Sequence, residues 1–236
     1  MSLRASYARL TKADAETLRA DPESFRQIPR MPFDLAENPS PEGSEWLNLD
    51  REWLSLSWLC SAVGRAEERN NAAFDRVMEC KANGEDLSAD GAFKAALVRE
   101  AERLGYTYID PDELADDPVL AALQGRRGED KGEMIENLGI SATLFSPPEV
   151  VALAEALANI NEADMREAFD IEEMEALCVP NDGEESDFED FLLPQLRALQ
   201  TLYQRAALAE QFVVVVFDDE FIMVVGEPGP DFWENR

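Results

Sequence analysis

The chain has 236 residues, 50 aspartates and glutamates against 21 lysines and arginines, a formal charge of −29, and no histidine. Without imidazole, Ser-His-Asp catalysis, Cys-His catalysis and histidine zinc sites are excluded. The 45% hydrophobic content predicts a folded core, while the scarcity of cations disfavours nucleic acids and anionic membranes as partners.

The chain opens with a predicted strand over residues 2–10, in which alternation places one set of residues on one side (Leu3, Ala5, Tyr7, Arg9) and the other set on the opposite side (Arg4, Ser6, Ala8, Leu10). Thr11 and Asp14 have capping-box spacing, so a helix is predicted from there to about Ala20. Residues 29–44 contain four prolines and are predicted to form a loop.

Residues 46–63 are predicted to form an apolar helix that holds three of the four tryptophans and ends at Gly64. Its stripe is typical of core packing, and a groove lined by indoles is the less favoured alternative. Trp53 and Trp58 are the candidate binding residues if such a groove exists.

Residues 65–117 are more polar and are predicted to form a helical insertion, with helices at about 66–82 and 90–104. A short helix over 118–124 follows. The glycine-rich loop at 125–132 carries two arginines and a lysine; a surface loop is favoured over an anion site because the phosphate-loop pattern is absent.

The second half begins with a predicted strand at 140–145, followed by a helix start at Ser146-Pro147-Pro148-Glu149. Serine as the cap, proline in the first turn and glutamate at the third position form a capping box. Two short helices at 162–168 and 171–177 precede the acidic run 182–190. That run leads into a helix ending near Ala209, in which Pro194 introduces a kink or marks the first turn.

Residues 212–217 are continuously apolar, the pattern of a strand buried on both faces. Asp218, Asp219 and Glu220 are predicted to turn the chain into a hairpin with 221–225. Strands at both ends with helices between them predict an α+β fold, in which helices pack on a small mixed or antiparallel sheet.

Carboxylates cluster at three places, 110–113, 182–190 and the predicted turn of Asp218, Asp219 and Glu220. No cluster has EF-hand spacing, so a solvated surface is favoured over a metal site at each. We expect no cofactor, no metal and no catalytic residue, and we keep the last cluster as a candidate binding site.

Three cysteines, Cys60, Cys80 and Cys178, are odd in number and widely spaced, which predicts reduced thiols and a cytoplasmic protein. No signal-peptide pattern and no apolar run of about 20 residues is found, so no membrane association is expected.

Four stretches resemble the YfbM-like family of uncharacterised bacterial proteins, also called domain of unknown function family 1877. They are the tryptophan-rich Trp46–Leu59, the capping box with its flanks at Leu144–Val150, and the shorter Tyr7–Thr11 and Leu202–Ala207. The resemblance implies one α+β domain over 1–236, with 65–117 as an insertion. Family members often carry a histidine in the tryptophan helix, where this chain has Ser55 or Ser57. The family has no settled activity, so the resemblance implies no catalytic residue.

Two functions remain open. The favoured hypothesis is a non-enzymatic acidic protein that docks a basic partner protein, as immunity proteins and inhibitors of cationic proteins do. The alternative is an enzyme, or a small-ligand or metal-binding protein, that uses a carboxylate cluster near the tryptophan-rich helix. The sequence does not determine the oligomeric state.

Overall fold

The computed structural model describes residues 3–21, 46–49, 52–89, 91–110, 117–125, 133–137, 140–181 and 183–219. The strands are β1 Leu3–Leu10, β2 Trp46–Leu49, β3 Glu133–Asn137, β4 Ile140–Phe145 and β5 Phe212–Asp219. The helices are α1 Lys12–Ala20, α2 Glu52–Cys60, α3 Ala62–Ala82, α4 Ala92–Arg103, α5 Pro118–Gln124, α6 Pro147–Ala158, α7 Glu162–Ala168, α8 Ile171–Ala176 and α9 Leu193–Leu208. A π-helical turn, Phe188–Leu192, precedes α9.

The strands form one antiparallel sheet in the order β2-β1-β5-β4-β3. β5 lies at its centre, and Val213, Val214, Val215 and Val216 are all buried, as the apolar run predicts. The α+β class is therefore confirmed, and the sheet is antiparallel rather than mixed.

Both faces of the sheet are covered by helices. Val213 and Val215 face the larger core, where α2, α5, α6 and α9 pack with residues of α7 and α8. Val214 and Val216 face a smaller core closed by Ala15 and Leu18 of α1. Alternate side chains of a strand point to opposite faces, which is why one continuous apolar run serves both cores.

Two buried tyrosines connect α5 to the rest of the larger core. Tyr7 donates a hydrogen bond of 2.6 Å to the Leu123 carbonyl, and Tyr203 donates one of 2.9 Å to the Ala122 carbonyl. Neither side chain is exposed to solvent. Each bond satisfies a helix-end carbonyl that would otherwise lack a partner.

The predicted helix starts are confirmed at both capping boxes. The Thr11 backbone N–H donates to Asp14 and the Asp14 N–H donates back to the Thr11 hydroxyl. The Ser146 N–H donates to Glu149 over 2.7 Å. Asn161 and Asp170 likewise accept backbone hydrogen bonds at the starts of α7 and α8.

The helix predicted over 46–63 is wrong at both ends. Residues 46–49 form the edge strand β2, with Leu47 and Leu49 buried and Asn48 exposed between them, and they pair with β1. The tryptophans have helical spacing, so the sequence analysis did not recognise that buried and exposed residues alternate over 46–49 as in a strand.

Gly64 does not stop the helix but lies in the first turn of α3, capped by Ser61. A Cβ atom at position 64 would collide with the Ser57 carbonyl. Glycine is therefore required because α2 and α3 approach each other closely at this point.

Helix α4 and all but the first three residues of α3 fall inside the predicted insertion, and the two helices share a small core of Val77, Ala96 and Leu97. Residues 106–109, whose composition also allows a short strand, form no strand of the described sheet. One domain over 1–236 with an insertion at 65–117 stays a prediction.

The predicted turn at 218–220 is wrong for its first two residues. Asp218 and Asp219 continue β5, opposite Arg4 and Leu3 of β1. The strand extends this far because β1 begins at Leu3 and provides a pairing partner. Glu220, the predicted strand 221–225 and loop residues 126–132 lie outside the described residues.

Candidate functional site

Trp58, a predicted binding residue, is a core residue. Its side chain is 0% exposed, and its indole N–H donates a hydrogen bond of 3.0 Å to the Ala168 carbonyl. Two serines of the same helix are also buried: Ser55 donates to the Pro180 carbonyl and Ser57 to the Trp53 carbonyl. Trp58 therefore lines no open groove in this structure.

Trp53, the other predicted tryptophan, is half-buried and packs edge-on against Phe217, with ring centroids 5.1 Å apart. Phe217 directly precedes Asp218 in β5. The structure thus places Trp53 beside the end of β5 that carries Asp218 and Asp219, and places Trp58 in the interior. Only the backbone of the two aspartates is described.

An arginine that sequence reasoning did not single out joins several elements. The Arg69 guanidinium lies 5.3 Å from the Trp58 ring centroid and 5.0 Å from that of Tyr106. It also donates two hydrogen bonds, of 3.0 and 2.7 Å, to Glu173 of α8. A planar cation between two rings and a carboxylate links α2, α3, α8 and the segment after α4.

A second arginine, Arg65, donates to the carbonyls of Trp58 and Leu59 at the end of α2. Burial lowers the pKa of the Arg65 guanidinium, and the charge of Arg69 lowers it further. The neighbouring Cys60 thiol has its pKa raised to about 12 by burial. A thiol that stays protonated at neutral pH is a poor nucleophile.

The strongest charge imbalance lies in residues 161–190, here named the acidic segment, which covers α7, α8 and the start of the π turn. It contains thirteen carboxylates and one basic residue, Arg166. Ten of the twelve carboxylates that the structure describes there are exposed. The sequence signal, the run 182–190, showed only the last part of this surface.

Few of these carboxylates are neutralised within the described residues. Glu162 pairs with Arg197 over 3.0 Å, Glu173 with Arg69 over 2.7 Å, and Glu189 with Arg166. Six others make no salt bridge in the described part of the chain: Asp164, Glu167, Glu172, Glu175, Glu185 and Asp190. The acidic segment therefore presents a largely uncompensated negative surface to solvent.

The described residues contain no group of three or more carboxylate or cysteine side chains arranged to hold a metal ion. A groove of about 340 Å³ lies between α3 and α4. Its lining includes Arg76 with Glu79, and Arg103 with the buried Glu100, so its charges are already paired. Over the described ranges, no helix is both long and apolar enough to span a bilayer.

Comparison with known proteins identifies the fold. The sequence model of a family described as "Domain of unknown function (DUF1877)" matches residues 127–216. A solved structure, described as a protein of unknown function, YfbM from Escherichia coli, superposes with a TM-score of 0.52 at 14% identity. The superposition covers 92% of this chain and 100% of that chain.

The fold of the chain therefore resembles that of YfbM. At this identity the YfbM structure supports the fold alone, and no curated protein sequence matches the chain. The family match covers β3, β4 and the whole acidic segment and ends within β5. The function must therefore be argued from the surface of the chain itself.

Proposed function

We propose that this protein is a non-enzymatic binding protein whose acidic segment docks a basic partner protein, in the manner of an immunity protein or an inhibitor. The observation that carries the proposal is the set of six exposed carboxylates without salt bridges in α7, α8 and the following turn. Like charges gathered in one segment of the chain repel one another and weaken the fold. A cationic partner would relieve that repulsion.

The uneven distribution of charge supports a docking role over one in solubility alone. Residues 65–110 contain ten carboxylates and seven cations. Several of these are paired, including Arg99 with Glu85 and Glu100, and Lys94 with Asp110. The acidic segment carries a net charge of −12 over 30 residues, against −3 over the 46 residues 65–110. Solubility alone requires only that charge be spread over the surface.

The negative charge of the acidic segment indicates which class of partner it would bind. Complementary charge accelerates association and selects partners, while nucleic acids and anionic membranes are repelled. We propose action in the cytoplasm, consistent with the three free cysteines. No catalytic residue, metal or cofactor is assigned.

The test compares two variants of equal charge. The segment variant carries Glu167→Gln, Glu172→Gln, Glu175→Gln and Asp190→Asn. The control carries the same substitution types at exposed positions outside the segment that make no salt bridge, namely Glu102, Glu155, Glu210 and Asp75. Each protein, and the wild type, is used for affinity capture from native lysate at low and at moderate salt.

We expect the wild type and the control to capture the same basic protein, and moderate salt to release it. The segment variant should bind that protein about 10- to 100-fold more weakly, because each lost ion pair contributes roughly 0.2–1 kcal/mol. Capture of nothing basic at low salt would contradict the proposal, as would equal losses in the two variants.

The alternative, a ligand or metal site near the tryptophan-rich helix, keeps one supporting observation. Trp53 packs against Phe217 next to Asp218. Thermal stabilisation by a divalent metal or a metabolite would favour this alternative, since ligand at a hundred times its dissociation constant adds about 2.7 kcal/mol.

A further inference from the structure

The end of the acidic segment contains an irregular turn with a clear chemical cause. In the π turn the Leu193 N–H bonds to the Phe188 carbonyl, five residues earlier. Pro194 has no N–H to donate, and in a regular helix its ring would collide with the Asp190 carbonyl four residues before it. The wider turn accommodates the proline without ending the helix.

This turn changes the direction in which Phe191 points. In a regular α-helix, Phe191 would lie about 60° around the axis from the buried Phe188. A π turn holds more residues than an α turn, so Phe191 lies further around the axis from Phe188 than it would in a regular helix. Phe188 and Leu192 remain buried, whereas Phe191 is 39% exposed.

Carboxylates precede this exposed ring in the chain. Glu189 and Asp190 directly precede it, both exposed, and Asp187 lies one turn earlier. Arg166 pairs with Glu189 and covers the Phe188 ring at 4.7 Å. Arg166, the one basic residue of the acidic segment, thus contacts the first two residues of the π turn, Phe188 and Glu189.

An apolar ring bordered by charge has the composition of a binding hot spot, in which a desolvated anchor provides affinity and the charged rim guides association. We propose that Phe191 is the apolar anchor of the docking surface. The matching partner segment presents an apolar side chain flanked by lysine or arginine. This inference rests on the proposed function and adds the chemistry of the contact.

The charge of the surroundings selects this occupant over a second copy of the chain. Two copies meeting at Phe191 would bring two acidic segments together, in molecules that each carry a formal charge of −29. Such juxtaposition is unfavourable. A basic partner that presents an apolar side chain would cover the Phe191 ring and pair with the neighbouring carboxylates.

The test uses two synthetic peptides of the same length, each with two lysines and two arginines flanking a central residue. The central residue is leucine in one peptide and serine in the other. Affinities are measured for the wild type, Phe191→Ser, Phe191→Leu and Phe74→Ser. Phe74, 44% exposed on α3, is the matched aromatic control outside the acidic segment. Circular dichroism verifies that each variant is folded.

We expect the wild type to bind the leucine peptide about tenfold more tightly than the serine peptide. This preference should fall to about twofold or less in Phe191→Ser and be retained in Phe191→Leu and Phe74→Ser. An unchanged preference in Phe191→Ser would overturn the inference. So would concentration-dependent self-association of the wild type that Phe191→Ser abolishes, because it would assign the ring to a second copy.

The two proposals fail in distinguishable ways. If the segment variant binds both peptides as tightly as the wild type, the proposed function fails, whatever Phe191 does. If the segment variant binds more weakly but Phe191→Ser keeps the wild-type preference, only the anchor is refuted.

Discussion

Replacing Trp58 with alanine is expected to lower the free energy of unfolding by about 3–5 kcal/mol. The indole is fully buried in the larger core, it satisfies the Ala168 carbonyl, and Arg69 stacks against it. The substitution leaves a large cavity, removes a hydrogen bond and removes one of the two aromatic rings that the Arg69 guanidinium contacts. Urea unfolding followed by circular dichroism measures the loss.

The matched control is Trp53→Ala, at a half-buried position with one edge contact to Phe217. We expect this change to cost about 1–2 kcal/mol, because less apolar area is removed from the protein interior. If Trp58→Ala cost no more than Trp53→Ala, Trp58 would not be a core residue, and the groove lined by indoles would be favoured.

Replacing Tyr203 with phenylalanine is expected to cost about 1–3 kcal/mol, although only one oxygen atom is lost. The change leaves the Ala122 carbonyl without its donor in a fully buried position. Tyr7→Phe should cost a similar amount through the Leu123 carbonyl. Urea unfolding of the single and double variants measures both effects, and no loss in either single variant would contradict this role of the hydroxyls.

The same hydroxyls make stability depend on alkaline pH. Burial raises the pKa of Tyr203 and Tyr7, and raises that of Cys60 to about 12. Groups with a raised pKa contribute stability that is complete below their unfolded values, about 8.5 for cysteine and 10 for tyrosine, and is lost as the pH rises further. The free energy of unfolding should therefore fall above about pH 9, and less steeply in Tyr203→Phe.

Local chemistry explains which parts of the fold were predictable. The capping boxes at Thr11 and Ser146 are complete within four residues, so the sequence contains every group that forms them. The run Val213–Val216 indicated a central strand because a continuous run of β-branched apolar residues is typical of a strand buried on both faces. Both features were confirmed.

Pairing between distant segments explains what was missed. Residues 46–49 fit a helical and an alternating pattern equally well, and pairing with β1 decides between them. β5 extends through Asp219 for the same reason. The β3 sequence Glu-Met-Ile-Glu-Asn is too polar to indicate a strand, yet it pairs along β4.

The candidate site was only partly visible in the sequence. The acidic run 182–190 was recognised from the sequence. The salt bridge between Arg166 and Glu189, which connects this run to α7, could be seen only in the structure. Arg69 resembles any other helical arginine until Trp58, Tyr106 and Glu173 surround it. The direction of Phe191 depends on the π turn, which the presence of Pro194 alone does not reveal.

Hydrogen–deuterium exchange on the complex with the captured basic protein tests directly whether the acidic segment is the docking surface. We predict slower amide exchange in the partner-bound state over α7, α8 and the π turn, with little change in α1 and α4. The segment variant should lose this protection under the same conditions. Protection confined to regions outside residues 161–193, with α7, α8 and the π turn unchanged, would contradict the proposed function.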